Sequence, residues 1–346
     1  MSNKLALIHG LFPEEVSAVA AEIGVAKYRS AQIWDWLYRK YAASWADMKN
    51  IPLTLQDQLA STFSIDSALP NNNPAITFDG KQTTKLLMKL PDGDSVETVI
   101  IPSKERRTIC VSCQVGCKFK CAFCASGQAG FRRNLEVGEI VGQVVAAARI
   151  IGGKPSNIVF MGMGEPFDNY DAVLKAARIM NQKDGLNIGA RHITISTSGV
   201  IAGIKRLATE GIQFELSVSL HSADNAIRSK LMPVNSVYPL EDLIRACGQY
   251  TEATNRVITF EYTLISNVND SAADIHKLIK LLSPLKCKIN LLTLNAVKEF
   301  SGTPSDITRA RNILGSLVES GITTTLRLSK GDSINAACGQ LRFADN

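Results

Sequence analysis

Three cysteines fall within eight residues, Cys117, Cys121 and Cys124, spaced Cys-x3-Cys-x2-Cys with Phe123 directly before the last. Thiols at this spacing can share one metal group. A 4Fe-4S cluster with four protein ligands carries electrons, whereas three ligands leave one iron free to bind a molecule that reacts. A closed zinc site also needs four ligands. None follows at finger-like spacing, because His192 is distant and Cys247, Cys287 and Cys338 lie singly. Zinc and a chance grouping of buried thiols stand as the weaker alternatives.

The loop resembles that of the radical S-adenosylmethionine superfamily, which has this spacing and an aromatic residue before the third cysteine. That resemblance implies that S-adenosylmethionine chelates the open iron through its amino and carboxylate groups. An electron from the cluster then cleaves it to a 5'-deoxyadenosyl radical, which the protein aims. A second motif, Met161-Gly162-Met163-Gly164-Glu165-Pro166, directly follows an apolar strand. Glycines there let backbone approach a ligand, and an adjacent acid can meet a cation. Alone, Gly-x-Gly-Glu equally describes a strand-to-helix turn. One strand after the cysteine loop, it matches the superfamily element that receives the methionine ammonium. Ser196-Thr197-Ser198-Gly199, Ser219-Leu220-His221 and Asn295 repeat the strand-end position. Each alone could be a cap or a turn, and His221 a structural residue. Together they describe a polar rim of the size a nucleoside needs.

These residues require a frame. The chain has 346 residues, 45% of them hydrophobic, enough for one large core or a core with a small appended domain. Residues 1–70 carry helical periodicity, with Pro13-Glu14-Glu15 opening one helix, 31–37 inside a second and 53–63 forming a third. A loop signal at 70–74 precedes two alternating strands, 84–90 and 95–101, about the turn Pro91-Asp92-Gly93-Asp94. Residues 71–105 therefore read as a β-hairpin linker, and 106–346 as the main domain with a cysteine-bearing tail. In that domain strands at 108–111, 157–161, 192–196, 214–219, 257–264 and 288–294 alternate with helical stretches at 136–151, 172–181, 201–210, 240–252 and 272–282. A last strand covers 323–328. Such alternation predicts an α/β fold with a parallel sheet and functional residues at the strand C-terminal ends. The superfamily resemblance turns this into a partial six-stranded (β/α) barrel.

Composition sets the setting. Eight cysteines, with no signal-peptide pattern in the first residues, predict a reducing, cytoplasmic location. No run of about 18 apolar residues suggests a membrane span. With 38 basic and 32 acidic residues the net charge is +6, which allows an RNA partner without requiring one. A basic and aromatic set flanks the cysteine loop: Lys104, Arg106, Arg107, Lys118, Lys120, Arg132 and Arg133, interleaved with Phe119, Phe123 and Phe131. It predicts a phosphate and stacking surface, with core aromatics and solvated bases as the alternative.

Two outlying cysteines narrow the reading. Cys110 lies on the strand before the loop, and Cys338 sits in Ala336-Ala337-Cys338-Gly339-Gln340-Leu341. With these in view, residues 10–341 resemble the radical S-adenosylmethionine ribosomal RNA adenine methyltransferases. The resemblance rests on 28–38 (YRSAQIWDWLY), Val96-Glu97-Thr98-Val99, 117–133, 162–166, 196–199 and 336–341. The family contains a carbon-2 enzyme acting on 23S rRNA and tRNA, and a carbon-8 enzyme conferring antibiotic resistance. Adenine carbon 2 lies between two ring nitrogens and is electrophilic, so it cannot attack a methyl cation donor.

The resemblance implies that Cys338 takes a methyl group from a first S-adenosylmethionine. A second molecule, cleaved at the cluster, supplies the radical that removes a hydrogen from this S-methyl group. The carbon radical adds to adenine, Glu97 accepts the proton, and Cys110 attacks the Cys338 sulfur to release the RNA. Gly164, Glu165, Ser196, Ser219, Leu220, His221 and Asn295 are implied as the S-adenosylmethionine site. An external electron donor of flavodoxin or ferredoxin type is implied, and the chain is expected to act as a monomer. Pro166 and Val115 match the carbon-2 enzymes. Cys113 stands where the family has Ser, and Leu294 and Ala296 replace an aromatic residue and a proline beside Asn295. The other readings are a non-methylating radical enzyme, such as a glycyl-radical activase, and a non-catalytic iron-sulfur protein.

Overall fold

The computed structural model describes residues 5–65, 75–78, 83–328 and 330–342; the loop signal at 70–74 lies outside them. At the N-terminal side, α1 (Pro13–Glu22), α2 (Lys27–Tyr38) and α3 (Leu53–Thr62) pack together, and β1 (Ala6–Leu7) pairs in parallel with β2 (Phe63–Ser64). Pro13 occupies the first turn of α1, where a missing N–H costs nothing. Ile33, Trp34, Leu37 and Tyr38 form the buried stripe of α2.

Ten strands form the main sheet. In chain order they are β3 (Ala75–Phe78), β4 (Thr84–Lys89), β5 (Ser95–Ser103) and β6 (Arg106–Cys110), then β9 (Asn157–Phe160), β10 (Ile193–Thr197), β11 (Glu215–Ser219), β12 (Ile258–Leu264), β13 (Cys287–Thr293) and β14 (Thr323–Arg327). From β6 through β9 to β14 every pairing is parallel, and β3 to β6 pair antiparallel. The six expected parallel strands are therefore joined by β14 at one edge. At the other edge the hairpin expected within 71–105 forms as β4 and β5, and it extends the sheet antiparallel. The reason is that β6 follows β5 after a two-residue turn, so the two pair directly.

Helices α5 (Val137–Ile151), α6 (Tyr170–Asn181), α7 (Ile201–Thr209), α9 (Leu240–Thr254), α10 (Ala272–Leu282) and α11 (Ile307–Glu319) fill the crossovers, with the shorter α8 (Asn225–Leu231) after β11. Most are amphipathic: α10 buries Ile275, Leu278 and Leu282, and α11 buries Ala310, Ile313 and Leu317. By contrast α5 is buried nearly all round, because its outer face is covered by the N-terminal segment. A Cβ on Gly138 would stand 2.4 Å from that of Leu7.

The cysteine loop grows from the end of β6. It is bracketed by a small antiparallel pair, β7 (Gln114–Gly116) and β8 (Phe131–Asn134), with α4 (Ala125–Gln128) between them. Gly116 has φ +79°, and a Cβ there would meet the Gly130 carbonyl oxygen at 1.8 Å. Gly116→Ala is therefore expected to destabilise the protein by about 1 to 3 kcal/mol from the dihedral alone, with the clash adding to it. Denaturant unfolding together with iron content checks this; an unchanged midpoint and full iron loading would refute it.

Candidate active site

Register places the first candidate. Val99 on β5 faces Cys110 at the end of β6, so Glu97 lies two residues further on, level with Ser112. Ser112 Oγ donates to the Glu97 carbonyl at 2.7 Å and accepts from Met163 N at 3.0 Å. Gln143 of α5 brackets Ser112, accepting from its N–H and donating to its carbonyl, both at 2.9 Å. This buried amide thus ties β5, the entry to the cysteine loop and the Gly-x-Gly loop into one unit. Sequence reading missed Gln143; its one signal is a polar residue inside the apolar run 137–151.

The cysteine loop is pinned by backbone bonds, Cys117 N to Gly130 O at 2.7 Å and Ala122 N to Leu231 O at 2.9 Å. Burial, with Cys124 and Glu165 adding repulsion, pushes the Cys117 thiol up to about 12, and burial with Cys124 and Cys117 raises Cys121 well above its ordinary value. Thiols so disfavoured as anions exchange their protons for a cationic metal group on loading. Among the described residues no three His, Cys, Asp or Glu side chains converge on a single-ion site; a cubane instead binds each thiolate at a separate iron. The donor set fits a three-thiolate cluster. Phe123 packs edge-on against His221, with ring centroids 4.8 Å apart.

Beside the loop, Glu165 is 3% exposed. Its carboxylate accepts from Ser198 N at 2.7 Å and Phe167 N at 3.0 Å, and among the described residues it has no cationic partner. Burial raises its pKa, the backbone bonds opposing. Gly164, at φ +102°, turns the chain against Gln114, where a Cβ would stand 2.6 Å from the Gln114 Cβ. A buried carboxylate lacking a cation fits the ammonium of S-adenosylmethionine. Ser196 and Ser219 are half-buried at strand ends, and their hydroxyls engage no protein partner among the described residues. Leu220 and His221 donate their N–H groups to the Glu261 carbonyl at 3.0 and 3.3 Å. His221 Nδ1 accepts from Thr263 N at 3.0 Å, which places the ring proton on Nε2. Burial, then Arg228, lowers this imidazole to about 3, so it is neutral.

The tail closes over these strand ends. Asn295 Nδ2 donates to the Cys338 carbonyl at 2.9 Å, Ala125 N to Gly339 O at 2.7 Å and Ser126 Oγ to Leu341 O at 2.5 Å. Gln340 donates to Ala296 O and to Asp332 Oδ1. Cys338 keeps an exposed side chain, yet surrounding protein, then Glu261, Cys110 and Cys124, raise its thiol. Cys110 is buried, and desolvation pushes it up to about 12. Glu97 is buried, 7% exposed. It pairs with Lys85 Nζ at 2.8 Å and accepts from Arg342 N at 3.0 Å. Cys113 donates to the Met163 carbonyl at 3.6 Å, a role serine could fill.

The basic set divides. Arg106 opens β6 and Cys110 ends it, four residues or about 13 Å away; Lys104, Arg106 and Arg107 therefore lie at the far end of the sheet from the loop. Arg132 pairs with Asp94 at 2.7 Å, and Arg133 grips Glu139 through both terminal nitrogens at 2.8 and 3.0 Å. These arginines tie the loop to the hairpin turn and α5. Lys118, exposed over the Phe131 ring at 4.4 Å, pairs with Asp168 at 2.9 Å, and Lys120 is exposed next to Cys121.

An α/β sheet that gathers a three-cysteine loop, a buried Gly-x-Gly-Glu carboxylate and a polar rim at its strand ends defines a radical S-adenosylmethionine enzyme. Residues 111–282 match the Radical SAM superfamily model, and residues 8–65 match the ribosomal RNA large subunit methyltransferase N-terminal domain. The chain is 43% identical over 331 residues to the probable dual-specificity RNA methyltransferase RlmN of Dictyoglomus turgidum, covering 95% of this chain and 94% of the relative. The corresponding protein of Geobacillus kaustophilus is 44% identical over 338 residues, covering 97% and 92%. A crystal structure of a radical SAM methyltransferase from Sphaerobacter thermophilus superposes with a TM-score of 0.93 at 44% identity, over 97% of this chain and 99% of that one. The chain belongs to the RlmN family of radical S-adenosylmethionine RNA methyltransferases.

Proposed function

We propose that this protein methylates carbon 2 of adenosine in 23S rRNA and in tRNA, with the methyl group carried on Cys338. The observation that supports it best is the seating of the Cys338 segment between the cysteine loop and Asn295, through the Ala125–Gly339 and Asn295–Cys338 bonds. Cys117, Cys121 and Cys124 would hold a 4Fe-4S cluster. When bound, the cluster and S-adenosylmethionine supply a carbon-centred radical. Gly164 and Glu165 orient the methionine end of S-adenosylmethionine, while Ser196, Ser219, Leu220, His221 and Asn295 form its rim. Cys338 is the methyl acceptor and presents the methyl carbon to the base. Glu97 accepts the carbon 2 proton, steered by Lys85 and Arg342 N. Cys110 resolves the adduct by attacking the Cys338 sulfur: the sulfur–sulfur bond forms as the bond from that sulfur to the bridging methylene carbon breaks, and this carbon takes up a proton to become the product methyl group.

Residues 1–70 are the RNA-binding accessory unit in this reading, and an electron donor of flavodoxin or ferredoxin type reduces the cluster. The protein acts as a cytoplasmic monomer. Among the described residues no helix is long and apolar enough to cross a membrane. Nucleosides from RNA treated with anaerobically reconstituted protein are expected to contain 2-methyladenosine by mass spectrometry. Finding 8-methyladenosine would overturn the carbon-2 assignment, and S-adenosylmethionine cleavage without RNA methylation would overturn the methyltransferase reading.

A further inference from the structure

One buried charge is not used by the chemistry above. Arg228 of α8 is 0% exposed, and its guanidinium bonds only neutral oxygens. Nε donates to Leu220 O at 3.1 Å, Nη1 to Asn235 Oδ1 at 2.7 Å, and Nη2 to Ser198 O at 2.8 Å and Ser219 O at 3.0 Å. Among the described residues no carboxylate pairs with it. A buried cation without a counter-charge is costly, and backbone dipoles relieve only part of the loss. A negative group that arrives on loading would relieve the rest.

The helix that carries Arg228 is pressed onto the cysteine loop. Leu231 at its end accepts the Ala122 N–H bond, one residue after Cys121. Leu231 and Met232 join an apolar cluster against which Phe119, Cys121 and Phe123 pack. As a thiolate, Cys121 is the first side chain that would stabilise the charged guanidinium. The three bonded carbonyls belong to the segments that end β10 and β11, where the proposed rim residues Ser219, Leu220 and His221 stand.

We propose that Arg228 is a positioning residue with two effects: its fork holds the ends of β10 and β11 in one frame for S-adenosylmethionine, and its buried positive charge makes the loaded cluster easier to reduce. The inference rests on the reading that Cys117, Cys121 and Cys124 hold a 4Fe-4S cluster. Lysine keeps the charge but not the planar fork, and methionine keeps much of the stem volume without the charge. The two effects are therefore separable.

The test compares anaerobically reconstituted wild type, Arg228→Lys and Arg228→Met. The readouts are iron and sulfide content, the cluster potential by redox-poised electron paramagnetic resonance, and the Kd for S-adenosylmethionine. All three proteins are expected to load iron equally. Arg228→Met should show a tenfold lower reduced-to-oxidised ratio at a fixed poise, a shift of about 59 mV for one electron. Arg228→Lys should keep the wild-type potential, and both variants should bind S-adenosylmethionine about tenfold more weakly. If Arg228→Met loses iron, Arg228→Gln replaces it with the same expectation. A neutral variant with wild-type potential, or a lysine variant with wild-type Kd, overturns the proposal. Wild-type protein that loads no cluster overturns the reading beneath it as well.

Discussion

Replacing Cys110 with alanine is expected to leave RNA attached to the protein. In the proposed mechanism the methyl carbon, once joined to the base, bridges adenine and the Cys338 sulfur, and attack on that sulfur is the step that separates them. Cys110 is a buried, free thiol within electrostatic reach of Cys338, whereas Cys113 is turned onto the Met163 carbonyl. Turnover should fall about 10³-fold or more, the scale on which losing a reacting group is felt. A denaturing gel should show a protein–RNA band for Cys110→Ala and none for Cys338→Ala or the double variant. Burial holds Cys110 up to about 12. The thiolate fraction therefore grows with rising pH throughout the neutral range, and product release should accelerate with it. A Cys110→Ala protein that releases product at the wild-type rate would remove Cys110 from the mechanism. Slow release that disappears on adding Cys113→Ala would identify a substitute thiol.

The second large effect is expected at Glu165. Glutamine keeps the shape and one oxygen for the Ser198 or Phe167 N–H group, but cannot pair with an ammonium. A bond to a charged group contributes about 1.5 to 3 kcal/mol, so the Kd for S-adenosylmethionine should rise by about 10- to 100-fold. Burial raises the Glu165 pKa above its ordinary 4.5. The pH dependence follows in sign: as pH falls through the raised value, the carboxylate gains a proton and affinity drops, earlier than for an exposed glutamate. The folded state holds this proton more tightly than the unfolded chain. Ionised Glu165 thus opposes folding, and the unloaded protein gains stability as pH falls from the raised value toward 4.5. Glu165→Gln should lack both dependences. Equilibrium dialysis and denaturant unfolding across the acidic range provide the check; a wild-type Kd in the variant would place the methionine end elsewhere.

Chemistry was legible in the sequence wherever residue type and spacing are local. The cysteine loop, the Gly-x-Gly-Glu turn and the strand ends need only short-range pattern, and the parallel alternation follows from hydrophobic period. Burial was less legible. Arg228 sits in Asn225-Ala226-Ile227-Arg228-Ser229-Lys230, a stretch that reads as solvated surface, and only the packed structure shows its guanidinium spanning two strand ends. Gln143 is similar, because its partner Ser112 lies 31 residues away. The basic set around the loop misled for a related reason: proximity in sequence put Arg106 beside Cys110, but an extended strand carries the two to opposite ends of the sheet. Merger of the hairpin with the sheet depends on β5 pairing beyond its own turn, which alternation alone does not reveal.

The bonds that finish the site span most of the chain: Arg342 N reaches Glu97 across 245 positions, Lys85 reaches Asn335 across 250, and Ser126 reaches Leu341 across 215. Contacts of such separation form late, after the loops between them have closed. During synthesis, a nascent chain can build its cysteine loop and most of its sheet before residues 335–342 exist. The thiol proposed to carry the methyl group is thus translated after the cysteine loop and the sheet, and a chain stalled before residue 338 would have the proposed radical-generating site without the group proposed to receive the radical.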